Sequence, residues 1–233
     1  MPSDKDYKET KQIMLGKAVM NKEFRQLADW IDQTYDVKTI NIVYDMIDKG
    51  QRPRLEICFE FERERAKFRD INNMNFDRDK QNSIANKFKQ SLQEQGIIQK
   101  KGLFDVFKKS TTTKYLTDNI WVIYGAFEPI ARIEANESIP QNKIVELKNT
   151  LENKDLWEIS LAFSGATFFL YTDQQVKEYE NSEIKKDWTN KYFDLLNQYN
   201  EFGYFKRNFF SIYLDSKENF DKNYQSNWYY YYK

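Results

Sequence analysis

The chain of 233 residues contains no histidine. This absence removes imidazole acid–base catalysis, Ser–His and Cys–His nucleophile pairs and histidine-ligated metals. A single cysteine, Cys58, excludes an internal disulfide and a thiolate zinc cage. Without a histidine to activate it, Cys58 reads as a structural thiol. Only hard carboxylate sites would remain for a metal, and the expectation is no metal, no cofactor and no enzymatic activity. Glycine and proline are scarce, at seven and four, so long linkers are not expected. No Gly-rich phosphate loop, nucleophile elbow or EF-hand spacing occurs. No apolar run reaches the roughly 18 residues of a membrane span. The opening MPSDKDYKETKQ is charged and does not read as a secretory signal, which points to a cytoplasmic protein. The 36 basic and 36 acidic residues cancel, and this balance argues against a nucleic-acid or membrane partner.

What the chain has is aromatic rings and alternation. Phe, Trp and Tyr make up 17% of residues, too many for a disordered chain. Residues 1–20 are polar and read as a loosely docked start. Phe24, Leu27, Ala28 and Ile31 recur at helical spacing over 21–35. Ile40, Ile42, Tyr44 and Met46 alternate with polar or exposed positions at strand period, as do Leu55, Ile57, Phe59 and Phe61. Ile84, Phe88 and Leu92 step by four on a helix near 78–95. Residues 120–124 and 130–134 read as a hairpin around Phe127-Glu128-Pro129. Ser138-x-x-Gln141 and Thr172-x-x-Gln175 read as capping boxes opening two helices. Strands follow at 157–163 and 166–171. A helix over 183–201 carries Ile184, Trp188, Tyr192, Leu195 and Tyr199. Further strands are expected at 209–214 and 228–232.

The predicted class is α+β, with helix–strand–strand–helix–strand–strand occurring twice on antiparallel sheets. The first module spans 21–136, with a basic loop at 96–118, and the second spans 138–233. The repeated order suggests an internal duplication, although residue identity between the halves is negligible.

Three stretches carry potential chemistry. Glu56, Glu60 and Glu62 fall on one face of a strand, beside Cys58, and read as a solvated acidic face. Residues 99–114 carry five lysines and two phenylalanines, and read as a lysine-rich loop with docked rings, not a nucleic-acid site. The third is the C-terminus. Residues 151–233 hold 23 of the 39 aromatics and end in Trp228, Tyr229, Tyr230, Tyr231 and Tyr232. In a strand, alternate rings would face away from the core. Asp215, Glu218, Asp221 and Tyr224 lie just upstream. Rings beside carboxylates suit a protein-binding surface, since Tyr and Trp supply contact area at low entropic cost.

Five segments are similar, in order and spacing, to the YezG-type immunity proteins. They are Trp157-Glu-Ile-Ser-Leu161, the strand ending Phe169-Leu-Tyr171, the Trp188/Tyr192 helix, Phe209–Asp215, and Trp228–Lys233. The resemblance covers about 157–233 and carries no diagnostic motif. It implies a small cytosolic α+β antitoxin that binds and blocks a secreted polymorphic toxin, typically a nuclease. The family's acidic-aromatic segment would map onto Asp215, Glu218, Asp221 and Tyr224. The chain is longer than one such module and is neutral, where an inhibitor of nucleases is often acidic. Alternatives from the composition are a carboxylate- or tyrosine-based enzyme or small-ligand protein with a cleft between the modules, and a structural subunit of an assembly. Oligomeric state is left open.

Overall fold

The computed structural model describes residues 1–72, 75–99 and 114–233. Most of the basic segment at 99–114 therefore lies outside the described residues. The chain divides into Ser3–Glu128 and Pro129–Lys233, the latter joined by Met1–Pro2. Among the described residues, no helix is long and apolar enough to cross a membrane.

The N-terminal unit is built on a three-stranded sheet. β1 (Thr39–Ile47) pairs antiparallel with β2 (Arg52–Phe59) across a tight turn at Asp48–Gly50. The chain then crosses over through α3 (Glu62–Ala66) and α4 (Arg78–Glu94) before β3 (Trp121–Ala126) pairs with β2. A helical crossover returns a strand in the same direction, so β3 is parallel to β2. Alternation sorts the strands into two faces. Ile42, Leu55, Ile57, Phe59, Val122 and Tyr124 form a core with Leu27, Ala28 and Ile31 of α2 (Arg25–Tyr35) and Ile84, Phe88 and Leu92 of α4. The opposite face carries Asn41, Asp45, Arg54, Glu56 and Cys58, which oppose one another across the β1–β2 ladder or lie two residues apart. The first helix, α1 (Lys5–Met14), lies against this face.

The C-terminal unit has the same plan. α6 (Gln141–Leu151) leads into β4 (Leu156–Ala162), which pairs antiparallel with β5 (Gly165–Leu170). A crossover through α7 (Asp173–Tyr179) and α8 (Glu183–Asn197) brings β6 (Tyr213–Ser216) parallel to β5. Ile159, Ala166, Phe168 and Leu170 pack on Trp188, Tyr192, Leu195 and Leu196 of α8 and Ile144 of α6. Two short helices close the chain, α9 (Lys217–Tyr224) and α10 (Trp228–Tyr231).

Shared detail goes beyond strand order. Each first strand slips register at its second residue, between Thr39 and Asn41 and between Leu156 and Glu158. Two residues past each middle strand, a side chain three residues on accepts a bond from the backbone N–H: Phe61 to Glu64 at 3.0 Å, Thr172 to Gln175 at 2.9 Å. Two residues past each third strand, a backbone N–H ties back to the residue after the middle strand. Glu128 donates to the Glu60 carbonyl at 2.8 Å, and Glu218 to that of Tyr171 at 3.2 Å.

Several sequence expectations need correction. The sheets are mixed, not antiparallel, because each third strand arrives by a crossover. The expected hairpin at 120–134 is a strand followed by α5 (Phe127–Glu137). Pro129 sits in the first turn of α5, where a missing N–H costs nothing, and Phe127, Ala131 and Ala135 are buried at four-residue spacing. Pro140, not Ser138, precedes the first residue of α6. β6 starts at Tyr213, after a 3₁₀ turn at Arg207–Phe209. Residues 228–231 are helical, not a strand. Glu60 lies beyond β2 and Glu62 opens α3, so neither shares the strand face of Glu56. The Thr172/Gln175 capping box is present as expected.

Candidate protein-binding surface

The C-terminal aromatic run is placed by its neighbours on the sheet. Strand alternation sends Phe168 into the core and Phe169 to the opposite face, level with Glu158 on β4 and Asp215 on β6. Trp157, at the bulge of β4, joins that face with its ring edge-on to Phe169 at 5.9 Å. Phe220 of α9 is buried against both. A turn at Gln225 and Ser226, both at positive φ, then reverses the chain. The Asn227 side chain accepts from the Tyr229 N–H at 2.9 Å and starts α10.

This helical turn divides the rings. Trp228 stacks on Trp157 at 6.1 Å and 7°, meets Phe220 at 4.2 Å and remains 37% exposed. Tyr231 packs on Phe169, Phe220 and Tyr224, and its phenol donates to Asp215 at 2.5 Å. Tyr232 donates to Ser160 Oγ at 2.7 Å. Burial, then Asp215, pushes the Tyr231 phenol up, and burial pushes that of Tyr232 up, so both stay protonated donors. Tyr229 and Tyr230 point away, 68% and 50% exposed. Two rings thus seat the turn and two face solvent, with the edge of Trp228 between.

The three carboxylates are engaged inside the unit. Asp215 accepts from Tyr231, from the Asn219 amide at 2.9 Å and from the Ser216 N–H at 2.7 Å. Glu218 accepts from the Asp173 N–H at 3.1 Å. Asp221 takes Lys217 and the Ser226 hydroxyl, which together hold its carboxyl below the usual range. Their visible work is to brace α9, the turn and α10. Tyr224 is half-buried against Tyr231.

Sequence reading missed a neighbouring part of the surface. A groove of about 570 Å³ is lined by Phe163, Phe209, Tyr213 and Tyr232, with Arg132 and Lys185. Phe209 is 90% exposed, and Tyr213 and Phe163 are also exposed. Phe163 sits at φ +51° in the β4–β5 turn, a conformation bulky side chains rarely adopt. Tyr232, the residue after α10, lines the groove. The positive φ of Phe163 leaves no trace in sequence; the pairing of Tyr213 with Thr167, which sets its face, could be reached only from the parallel register.

The expected role of α10 as a seated, partly exposed turn gives a test. Tyr231→Phe should speed amide exchange in 228–232 by about fivefold, the worth of one hydrogen bond of ~1 kcal/mol. Asp215 keeps Asn219, so global melting should move little. Unchanged exchange in 228–232 would mean that the phenol–carboxylate bond does not hold the turn.

A second polar cluster lies in the N-terminal unit. Arg54 grips Asp45 through Nε at 2.8 Å and Nη2 at 2.6 Å, reaches Asp6 at 2.8 Å, and stands 3.8 Å from Glu56. Burial, and then Asp6, pushes the Glu56 carboxyl up to about 7. Burial pushes the Cys58 thiol well above its ordinary range, so it is not a nucleophile. Among the described residues, no group of three or more carboxylate or thiol side chains is arranged to hold a metal ion. No protein-family model, no curated protein and no solved structure matches the chain.

Proposed function

We propose that the chain is a non-enzymatic cytoplasmic binding protein, an immunity protein that occludes a secreted polymorphic toxin. The observation that carries the reading is the exposure of Tyr229, Tyr230 and the edge of Trp228 on a turn whose other rings are locked to the sheet. Preseated rings lose little entropy on contact, and exposed rings cost solubility unless something covers them. The mechanism is steric: the aromatic turn and the Phe209/Tyr213 groove cover the toxin's working face, with Lys and Asp/Glu at the rim setting encounter rate. A nuclease is the toxin class the resemblance implies. The common bulge, cap and tie-back positions support reading the two units as copies of one duplicated module.

The test is co-expression with toxins encoded in adjacent reading frames. The expected result is rescue of growth and a one-to-one complex without toxin activity. Failure to bind or neutralise any adjacent toxin would contradict the reading. One observation favours a carboxylate enzyme instead: a value of about 7 at Glu56 suits general acid–base work. Against it, the Glu56 side chain is only 17% exposed and lies beneath α1.

A further inference from the structure

We propose that α1 is a strap over the far face of the N-terminal sheet, loosened when Glu56, which faces Asp6 of the strap, ionises. Three carboxylates, Asp6, Asp45 and Glu56, surround one guanidinium. Arg54 spends its close contacts on Asp45 and Asp6, leaving Glu56 the least compensated. The groups facing Glu56 are Asp6 from α1 and Arg54 and Cys58 from its own strand, with Asp45 of β1 reaching it through Arg54. β3 presents Gly125, where an added Cβ would stand 2.7 Å from Glu56 Oε1. The carboxyl is thus boxed in against the backbone, with Asp6 on the side of the strap.

Protonated, Glu56 donates to Asp6 and joins α1 to β2. Ionised, it repels Asp6 across the same gap. The folded value is raised above the ordinary carboxylate range, so the seat is complete at low pH and is lost as pH rises through about 7. The Arg54–Asp6 pair at 2.8 Å and the packing of Ile13 on the core persist in both states, so ionisation loosens the strap without freeing it. Within α1 only Tyr7 and Thr10 are buried, Tyr7 on Phe127 at 5.1 Å and Thr10 accepting from Asn41 at 3.0 Å. Gly16, at φ +68°, follows the helix.

Cys58 is the chain's one cysteine, is buried, and lies opposite Asn41 under Thr10. It reports strap opening directly. Maleimide labelling of the intact protein is followed from about pH 6 to 8.5, each rate divided by that of the urea-unfolded chain so that thiolate reactivity cancels. The corrected rate should rise roughly tenfold, the effect of about one pKa unit of coupling, and level off above pH 8. Glu56→Gln, neutral throughout, should stay at the low value. A change under about twofold in the wild type, or the same rise in Glu56→Gln, overturns the proposal. Should that variant not fold, amide exchange in the wild type decides. Residues 5–14 must lose protection across this range while α4 keeps it; parallel loss in both, or in neither, overturns it.

Discussion

Asn136→Ala should destabilise the C-terminal unit by about 3–5 kcal/mol, the largest effect expected from losing one polar side chain. Asn136 lies on α5 and is fully buried. Its amide donates to the Phe163 carbonyl at 3.1 Å and the Gly165 carbonyl at 2.9 Å, the two ends of the β4–β5 turn. Its oxygen accepts from the Tyr192 hydroxyl at 2.5 Å. Tyr192 is itself fully buried in α8, and burial pushes its phenol up, so it remains a donor. Truncation strands one hydroxyl and two carbonyls and frees a turn whose Phe163 is held at φ +51°. The stranded hydroxyl is fully buried and costs about 1–3 kcal/mol, the two part-buried carbonyls add less each, and the loosened turn adds the rest. Thermal melting should fall by roughly 12 °C or more, at about 4–8 °C per kcal/mol for a unit of this size. Tyr192→Phe should cost only about 1–2 kcal/mol, since the ring stays and the amide keeps its two carbonyls. A loss below about 1 kcal/mol for Asn136→Ala would show that the turn does not depend on that amide.

Phe220→Ala should cost about 3–5 kcal/mol and disable the surface at the same time. The Phe220 ring lies within 4.2–6.1 Å of Trp157, Phe169, Trp228 and Tyr231, so its removal leaves a cavity beneath Trp228 and Tyr231. Amide exchange in 217–232 should accelerate before the rest of the unit, and binding should weaken with it. Tyr229→Ala touches no part of that seat, because its ring contact is with the exposed Tyr230, and should shift stability by no more than about 0.5 kcal/mol. Equal destabilisation by the two changes would mean that Tyr229 belongs to the core.

The class and most helices were legible because their signals are periodic. Leu27, Ala28 and Ile31, or Trp188, Tyr192 and Leu195, have one explanation each, a buried helical stripe. The middle strands were legible from alternation through Ile57 and Phe168. Strand direction was not, because a short apolar run carries no record of the crossover before it. The segment after β3 was misread although Ile130 and Ile133, three apart, share a face only on a helix, because Pro129 reads as a turn unless the helix is known to begin two residues earlier. The last five residues of the aromatic run favour a strand by propensity. Asn227 as a cap, and the contacts of Trp228 and Tyr231 with Phe220, override that preference. Of the rings named from sequence, Trp228–Tyr231 form α10, Tyr232 follows it and Tyr224 ends α9, while Trp157, Phe169 and Phe220 beneath them became visible only once the sheet faces were fixed.

On the function proposed, the solvent-facing rings of Tyr229 and Tyr230 bind a protein partner. This is tested by titrating a toxin encoded in an adjacent reading frame with the wild type and with a Tyr229→Ala, Tyr230→Ala double variant. One interface aromatic is worth ~2 kcal/mol or more on truncation and such losses do not add in full, so the dissociation constant of the double variant should rise at least about 30-fold while melting stays within about 4 °C. An unchanged dissociation constant in a folded double variant would contradict the claim.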